Sequence, residues 1–560
     1  MSTSAPAGGH AAPGEYTHKQ ILTILTGLLL GMFLGALDQT IVSTAIRTIA
    51  DDLHGLDAQA WVTTAYLITS TIMTPIYGKL GDLWGRKKLF MFAISIFIVG
   101  SMLCTLAHSM YELAAYRAFQ GLGAGGLFTL VLAIVGDIVS PRERAKYTGY
   151  FMATFGSSSV LGPVIGGFFA GTGSILGIAG WRWVFLVNVP IGILALIVVF
   201  RTLHVHHVKR QARIDWMGAV ALVICLVPLL TVAEQGRSWG WGSTRSVVLF
   251  VIGALGLVLF VAAETFMKDA ALIPLRIFRI RPAAVTLVAS VIVGMGLFGG
   301  MMVLPLYMQI VHGASPTESG FMMLPMVAGL MTASLSSGKI ISRTGKTRIF
   351  PIFGSALMAV GMVLLAQITA DTHLWIVMIF MFITGYGVGN CMQPLILTVQ
   401  SSVPPTSIGV ATSSATFFRQ IGGTIGVAVF LSVLFSTAPG NIAGAFDEAK
   451  QTPAFQQAAQ QALQEPASSP DHRLASGDQS VIAGVTQDSS VINRLAPALA
   501  HPLKVGYAES MTPIFWTAGG LGVLAFLVLL TMPEVELRQT SAAAARAATS
   551  GENAPENVRP

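Results

Sequence analysis

The sequence predicts an all-α integral membrane protein: two parallel sets of six spanning helices with two further spanning helices between them. Three observations predict it. Of the 560 residues, 53% are hydrophobic and 11% charged, and the mean hydropathy is +0.69. Soluble domains carry roughly 25% charged residues, so a chain this apolar belongs in a bilayer. Lys and Arg gather in alternate connections between the apolar runs. Short motifs also recur along the chain at a nearly constant offset.

The elements follow in order. Apolar runs of spanning length cover 20–46, 57–78, 89–108, 112–137, 146–171 and 183–203. Two more lie at 215–235 and 246–267. The last six lie at 283–310, 319–338, 349–369, 374–400, 407–436 and 511–532. With the N-terminus inside, every second connection should be basic. The first such connection carries Lys79, Arg86, Lys87 and Lys88, and the next Arg142, Arg144 and Lys146. Then come Arg201, Lys209, Arg210 and Arg213, followed by Lys268, Arg276, Arg279 and Arg281, and finally Lys339, Arg343, Lys346 and Arg348. These hold more than half of the 33 Lys and Arg, and the alternation requires fourteen spans. Both termini are therefore expected in the cytoplasm, with the chain multi-pass in the plasma membrane, the inner membrane of the cell.

The expected organisation is a flexible cytoplasmic N-terminus (1–18), a six-helix bundle (19–203), two extra spans with basic linkers (204–281), a second six-helix bundle (282–532) and a cytoplasmic tail (533–560). Residues 1–18 lack a basic stretch and a small-residue cleavage site, so no cleaved signal peptide is expected. The second bundle includes a long extracellular loop, 437–510, rich in Ala, Gln, Ser and Pro, in which AFQQAAQQALQ reads as a surface helix.

The repeat supports this division. GKLGDLWGRKK (78–88) is echoed by GKIISRTGKTR (338–348), and GLGAGG (121–126) by GYGVGN (385–390). The echoes place matching loops on the same side of the membrane in each half. Parallel repeats of this kind place a substrate site between the halves, near the bilayer midplane.

GKLGDLWGRKK is the most specific motif. Gly78, Gly81 and Gly85 permit a tight helix-to-helix turn and close backbone contact. Asp82 can cap a helix or pair with Arg86. In GSSSVLGPVIGGFF, Gly162 and Gly166 form a face for close helix packing, with Gly167 beside them, and Pro163 allows a bend. Gly27, Gly31 and Gly35 form a similar face along the first span.

These segments resemble the fourteen-span drug:proton antiporter family of the major facilitator superfamily. So do LDQTIVSTA in the first span, AYRAFQGLGAGG in the fourth, WRWVFLVNVPIG at the sixth, LPLYMQIVHGASPTESG after the ninth and RQIGGTIG in the thirteenth. The resemblance covers about 20–538 apart from the long outer loop. It implies a major facilitator fold, a loop acid at Asp82 that helps hold the outward-open state, antiport through the fifth-span motif, and export driven by proton influx. The echo departs from the pattern, since Ser342 stands where Asp82 stands in the first half.

Asp38 and Arg117 lie inside spans one and four, where an ionised side chain costs about 2.5–3.5 kcal/mol to insert. These spans are neighbours in the implied fold, so Arg117 is the expected partner of Asp38. The pair reads either as a static structural contact or as a carboxylate that is protonated in one state and charged in the other. The second reading makes Asp38 the proton-coupling and substrate residue. Arg419, near the middle of the thirteenth span, and Glu234, near the end of the seventh, are secondary candidates. Glu264 is expected to be structural or interfacial, and Asp137 to contact Arg142 or Arg144.

Other chemistries are excluded or disfavoured. GLGAGG has dinucleotide-loop spacing but sits in an apolar span with no preceding strand, and Gly345-Lys346-Thr347 lacks the upstream glycine of a phosphate loop. HVHHVK (204–209) reads as solvated charge in a basic loop. Cys104, Cys225 and Cys391 each lie in an apolar run without metal-ligand spacing. No nucleophile–base set marks an enzyme, and the scattered basic residues do not mark a nucleic-acid binder. The expected function is proton-coupled export of lipophilic neutral or cationic drugs by a monomer, with protons and the bilayer as partners and no cofactor or metal. An exporter of one endogenous lipid or secondary metabolite, or a membrane sensor or scaffold using the outer loop, are the alternatives.

Overall fold

The structure, a computed structural model, describes residues 17–54, 59–144, 147–203, 215–404, 407–478, 492 and 494–537. The first long helices are α1 (His18–Asp52), α2 (Gln59–Trp84), α3 (Arg86–Cys104), α4 (Met110–Ile138), α5 (Thr148–Gly171) and α6 (Asn188–Thr202). Next come α7 (Trp216–Trp239) and α8 (Thr244–Met267). The last are α9 (Arg281–Ile310), α10 (Leu324–Thr344), α11 (Ile349–Leu365), α12 (Leu374–Ser402), α13 (Ile408–Ala449) and α14 (Pro497–Leu530). A small antiparallel hairpin, β1 (Ser174–Ile175) with β2 (Ile178–Ala179), precedes α6, Ser174 facing Ala179.

Among the described residues, twelve helical segments are long and apolar enough to cross a membrane. The two other expected spans fall on α2, which is rich in Thr and Ser, and on α11, which is apolar but 17 residues long. Local signals set several ends. Thr17 caps α1 in a reciprocal box with Gln20, Ser109 accepts from Glu112 at the start of α4, and Asp215 accepts from Gly218 at the start of α7. Gly85 opens α3 with φ +94°, and Gly345 ends α10 with φ +72°. These glycines occupy equivalent places in the two echoes of the repeat, and both backbone angles disfavour any residue with a Cβ.

Packing repeats as well. In the first set, α4 packs on α2 and α3, α1 on α5 and α6, and α3 on α6. In the second set, α12 packs on α10 and α11, α9 on α13 and α14, and α11 on α14. Glycines allow the closest approaches. A Cβ on Gly121 would lie 2.6 Å from the Tyr66 carbonyl oxygen of α2, and one on Gly385 would lie 3.1 Å from Met326 Cα in the first turn of α10. The Gly27, Gly31 and Gly35 face meets three partners in turn: Val199 of α6, Phe90 of α3, and Leu127 with Phe128 of α4.

Between the sets, α2 and α4 pack on α13, and α5 packs on α10 and on the short helix Pro316–Met322 before it. The inserted pair sits at this seam. Leu222, Cys225, Leu226 and Leu230 of α7 share an apolar cluster with Ile68 and Ile72 of α2 and Phe417 of α13.

The structure shortens the expected loop 437–510. α13 runs on to Ala449, and α14 starts at Pro497. Ala438, Ile442 and Phe446 form a stripe every four residues, and Leu499, Leu503 and Tyr507 form its counterpart on α14. Polar residues between these positions masked the periodicity in the sequence. Helix Pro453–Ala462 contains most of AFQQAAQQALQ and, with Pro470–Ala475, folds Phe455, Ala462 and Leu474 onto this stripe. The tail from 538 and the HVHHVK segment lie outside the described residues, as does the N-terminus up to residue 16.

Gly121→Val and Gly385→Val should each lower stability by about 1–3 kcal/mol through overpacking. Thermal unfolding of the detergent-purified protein checks this; a control at Gly520, where a Cβ meets nothing within 4 Å, should leave the midpoint in place.

Candidate functional site

Asp38 and Arg117 meet inside the first helix set. Arg117 Nη1 lies 2.5 Å from Asp38 Oδ2, and the two residues are 1% and 0% exposed. At 1.5 Å per residue, Asp38 stands about 30 Å along α1 and Arg117 about 10 Å along the antiparallel α4. The pair therefore lies nearer the end that carries Pro453–Ala462 than the opposite end. That opposite end holds Lys79, Arg86, Lys87, Lys88, Arg343 and Lys346 and is called the basic end below.

Sequence reasoning found the pair but missed its surroundings. Gln120 Nε2 donates to Asp38 Oδ1 at 2.9 Å, and Asn188 Nδ2 donates to the same oxygen at 2.8 Å. Arg117 Nη1 also donates to Gln120 Oε1 at 2.7 Å, and Gln120 Nε2 to Ser101 Oγ at 2.7 Å. The guanidinium lies 4.0 Å over the Tyr66 ring. Residues from α1, α2, α3, α4 and α6 thus converge on one carboxylate. Gln120 was legible as the residue one turn beyond Arg117 on the same face, and Asn188 as an amide in an otherwise apolar stretch. The carboxylate accepts from three donors here. Arg117 Nε, Asn188 Oδ1 and Tyr66 Oη are buried without hydrogen-bond partners among the described residues, so the cluster has other pairings to adopt.

The fifth-helix motif faces two ways. A Cβ on Gly162 would collide with Thr40, two residues from Asp38, and one on Gly166 would lie 2.8 Å from the Ile41 carbonyl oxygen. Thr40 Oγ1 donates to Ser158 O at 3.1 Å. Pro163 and Gly167 point to the other helix set: a Cβ on Gly320 would lie 3.0 Å from the Pro163 ring, and one on Gly167 would lie 3.4 Å from Thr317 Oγ1. α5 is thereby wedged between the helix bearing Asp38 and the second set.

At the basic end, Asp82 serves both of its expected roles. It accepts from Arg86 Nη2 at 2.7 Å and from Val410 N, at the start of α13, at 3.2 Å. Gly78 packs against Ser413 and Gly81 against Leu130. Asp137 pairs with Arg86 Nε at 2.5 Å. α4 ends beside the α2–α3 turn, which brings the Arg86 guanidinium within its reach. Arg144 instead donates to Gly136 O, Val139 O and Gln400 Oε1, the last on α12 of the second set. The Arg142 side chain lies outside the described residues. Hydrogen bonds between the sets thus gather at and above the basic end: Asp82 to Val410, Arg144 to Gln400, and Thr74 to Gln420 at 3.0 Å.

Of the secondary candidates, Glu234 lies on α7 with its side chain outside the described residues. Arg419 lies on α13, far from Asp38 in height and on the other helix set. Glu264 is structural, as expected: its carboxylate accepts from Leu272 N at 3.2 Å and Ile273 N at 3.0 Å, folding the chain back after α8. Among the described residues no cluster of three or more His, Cys, Asp or Glu could hold a metal.

The sequence profile of the Major Facilitator Superfamily matches residues 28–427. Multidrug transporter protein MdtP of Bacillus subtilis is 36% identical over 77% of this chain and 77% of its own length. Multidrug resistance protein 3 of the same organism is 33% identical over 94% of this chain and 98% of its own. A bacterial homolog to the human lysosomal transporter Spinster, inward-facing and unoccupied, superposes with a TM-score of 0.54 at 16% identity, over 92% of this chain and 98% of the other.

Arg86→Ala removes the guanidinium that Asp82 and Asp137 share. It should destabilise the protein by about 3–5 kcal/mol, as breaking a buried pair does. Arg86→Lys should recover part of this, since one ammonium cannot match the two-sided fork. Unfolding midpoints in one detergent compare the three proteins; equal midpoints for wild type and Arg86→Ala would contradict the assignment.

Proposed function

The chain belongs to the Major Facilitator Superfamily, and from that premise we propose that it is a proton-coupled antiporter exporting lipophilic neutral or cationic compounds by alternating access. The hydrogen-bonded network on Asp38 carries this reading, because it holds an ionisable carboxylate where a change of charge rearranges five helices. The multidrug names of the two Bacillus relatives support the substrate class. In this reading the chain is a plasma-membrane monomer with the basic end and both termini in the cytoplasm. It crosses the bilayer fourteen times, counting α2 and α11.

The cycle follows from the contacts. A proton reaching Asp38 from outside neutralises the carboxylate and removes the charge-assisted part of its bond to Arg117. Arg117 and Gln120 then re-pair, and α1 shifts against α4. Because α1 rests on Gly162 and Gly166, the shift is passed through α5 to Gly320 and Thr317 in the second set. The sets rock, the Asp82–Val410 and Arg144–Gln400 contacts open, the proton leaves inside, and substrate loads from the cytoplasm or inner leaflet. Static pairing alone would call for only one arrangement of these partners; the unpaired Arg117 Nε and Asn188 Oδ1 favour two.

One charge moving through 100 mV is worth about 2.3 kcal/mol, and each pH unit adds about 1.36 kcal/mol. A potential of ~150 mV gives ~3.5 kcal/mol, a few-hundred-fold accumulation ratio for a neutral compound exchanged for one proton. A monocation exchanged for a proton moves no net charge, so only the pH difference drives it. A dication needs a second proton and a second acid, and α9, the counterpart of α1, has no Asp or Glu.

Asp38→Asn in proteoliposomes with an imposed pH gradient should lose proton-driven flux while substrate still equilibrates downhill; normal proton-coupled flux would remove Asp38 from the mechanism. Across substrates of increasing charge, the membrane potential alone should drive export of neutral compounds and fail for dications. Robust dication export under that potential would count against a single coupling acid.

A further inference from the structure

Arg419 is the charge that this cycle leaves unused. It stands 11 residues into α13, about 16 Å from the basic end, close to mid-bilayer. The residue is half-buried, and its backbone carbonyl packs on Gly294 of α9. Among the described residues, no hydrogen bond or ion pair engages its guanidinium. Among the described residues its own helix set offers no nearby carboxylate: α9, α10, α11 and α12 contain no Asp or Glu, those of α13 are Asp447 and Glu448 at the far end, and Glu509 of α14 lies toward that same end, one turn from Gly506, which packs on Ile442. Arg117 has Asp38; Arg419 has no counterpart of that kind. A permanently charged group held there at a cost in insertion marks a functional site.

A second donor stands at the same level. Gln400 Nε2 donates to Thr412 Oγ1 at 2.6 Å, which fixes how α12 and α13 face one another near the basic end. Two turns further from the basic end, on the same faces, come Gln393 on α12 and Arg419 on α13. Gln393 is 5% exposed, and its Nε2 has no hydrogen-bond partner. Two donors therefore stand at one level without an acceptor. The group that satisfies both is an oxyanion: the guanidinium fork takes a carboxylate through two N–H bonds, and the amide adds a third.

We propose that Arg419 and Gln393 bind the acidic group of a lipophilic organic acid, which this transporter carries in addition to neutral and cationic compounds. The direction of transport rests on the export reading; the binding does not. The site lies directly beyond the Arg144–Gln400–Thr412 seal, so an acid entering from the basic end meets it as soon as that seal opens. Exchange of such an anion for one proton moves two charges down the potential. It is therefore driven harder than exchange of a neutral compound or a monocation.

Pyrenebutyrate and its methyl ester share one apolar body and differ in the head group, so their binding to the full-length protein in detergent, read by energy transfer from tryptophan, tests the site. Wild type should prefer the acid. In Arg419→Gln the preference of acid over ester should fall roughly ten- to a hundred-fold. Arg419→Lys should fall between the two, and Gln393→Leu should lose several-fold. The two milder variants keep the test open if Arg419→Gln does not fold. An unchanged acid preference in these variants, or an ester bound by wild type as tightly as the acid, would overturn the proposal. Displacement of pyrenebutyrate by phosphatidylglycerol that depends on Arg419 would also overturn it, by assigning the site to a lipid headgroup. Proton-driven export of the ester in proteoliposomes is a separate readout. Its failure alongside Arg419-dependent acid binding would remove the pump and leave this site standing.

Discussion

The 2.5 Å ion pair between Asp38 and Arg117 is the contact around which the first helix set is built. Taking two charges out of water costs several kcal/mol per ion, and their attraction offsets this only when the remaining lone pairs and protons are also satisfied. Here α4 supplies Gln120, α6 supplies Asn188, α3 supplies Ser101 through Gln120, and α2 supplies the face of Tyr66. Five helices are held in register by one carboxylate. The same dependence makes the arrangement sensitive to its charge, since neutralising the acid weakens the strongest bond in the network and leaves the neutral ones in place.

Close backbone approach gives this local event a path outward. α1 is not free to move alone, because Gly162 and Gly166 seat α5 against Thr40 and Ile41, and α5 in turn seats Pro163 and Gly167 against the short helix Pro316–Met322 of the second set. At the other end, polar contacts rather than glycines join the sets: Asp82 to the first turn of α13, and Arg144 to Gln400. Packed glycine faces transmit a displacement because they have no slack, whereas a few hydrogen bonds can part at modest cost. The inserted helices add a third kind of contact, an apolar cluster across α2 and α13.

Much of the fold was legible. Charge alternation and the repeat foretold the order of helices, and Gly85 and Gly345 show why the repeat is visible: a positive φ at the same turn leaves little choice of residue. The Asp38–Arg117 pair was legible because charges inside apolar runs must find one another. Its amide partners were less so, since Gln and Asn carry no charge to betray them. The pairing of Asp137 with Arg86 was not legible, because a turn in space, not in the chain, brings the two together. The ends of α13 and α14 were missed because their apolar stripes serve a small cap, away from the basic end, whose polar remainder reads as loop.

The sequence alone thus determined that the chain lives in a bilayer as all-helical parallel repeats, and that Asp38 and Arg419 needed explaining. Hydrophobicity, loop charge and insertion cost are properties of residues, and they survive without coordinates. Only the tertiary structure decided that Asp38 is held by donors from α4 and α6 while the Arg419 guanidinium has no partner among the described residues. The reason is physical: a charge in hydrocarbon demands a partner wherever it sits, but which partner it gets is settled by helix crossing and register, which no local pattern encodes.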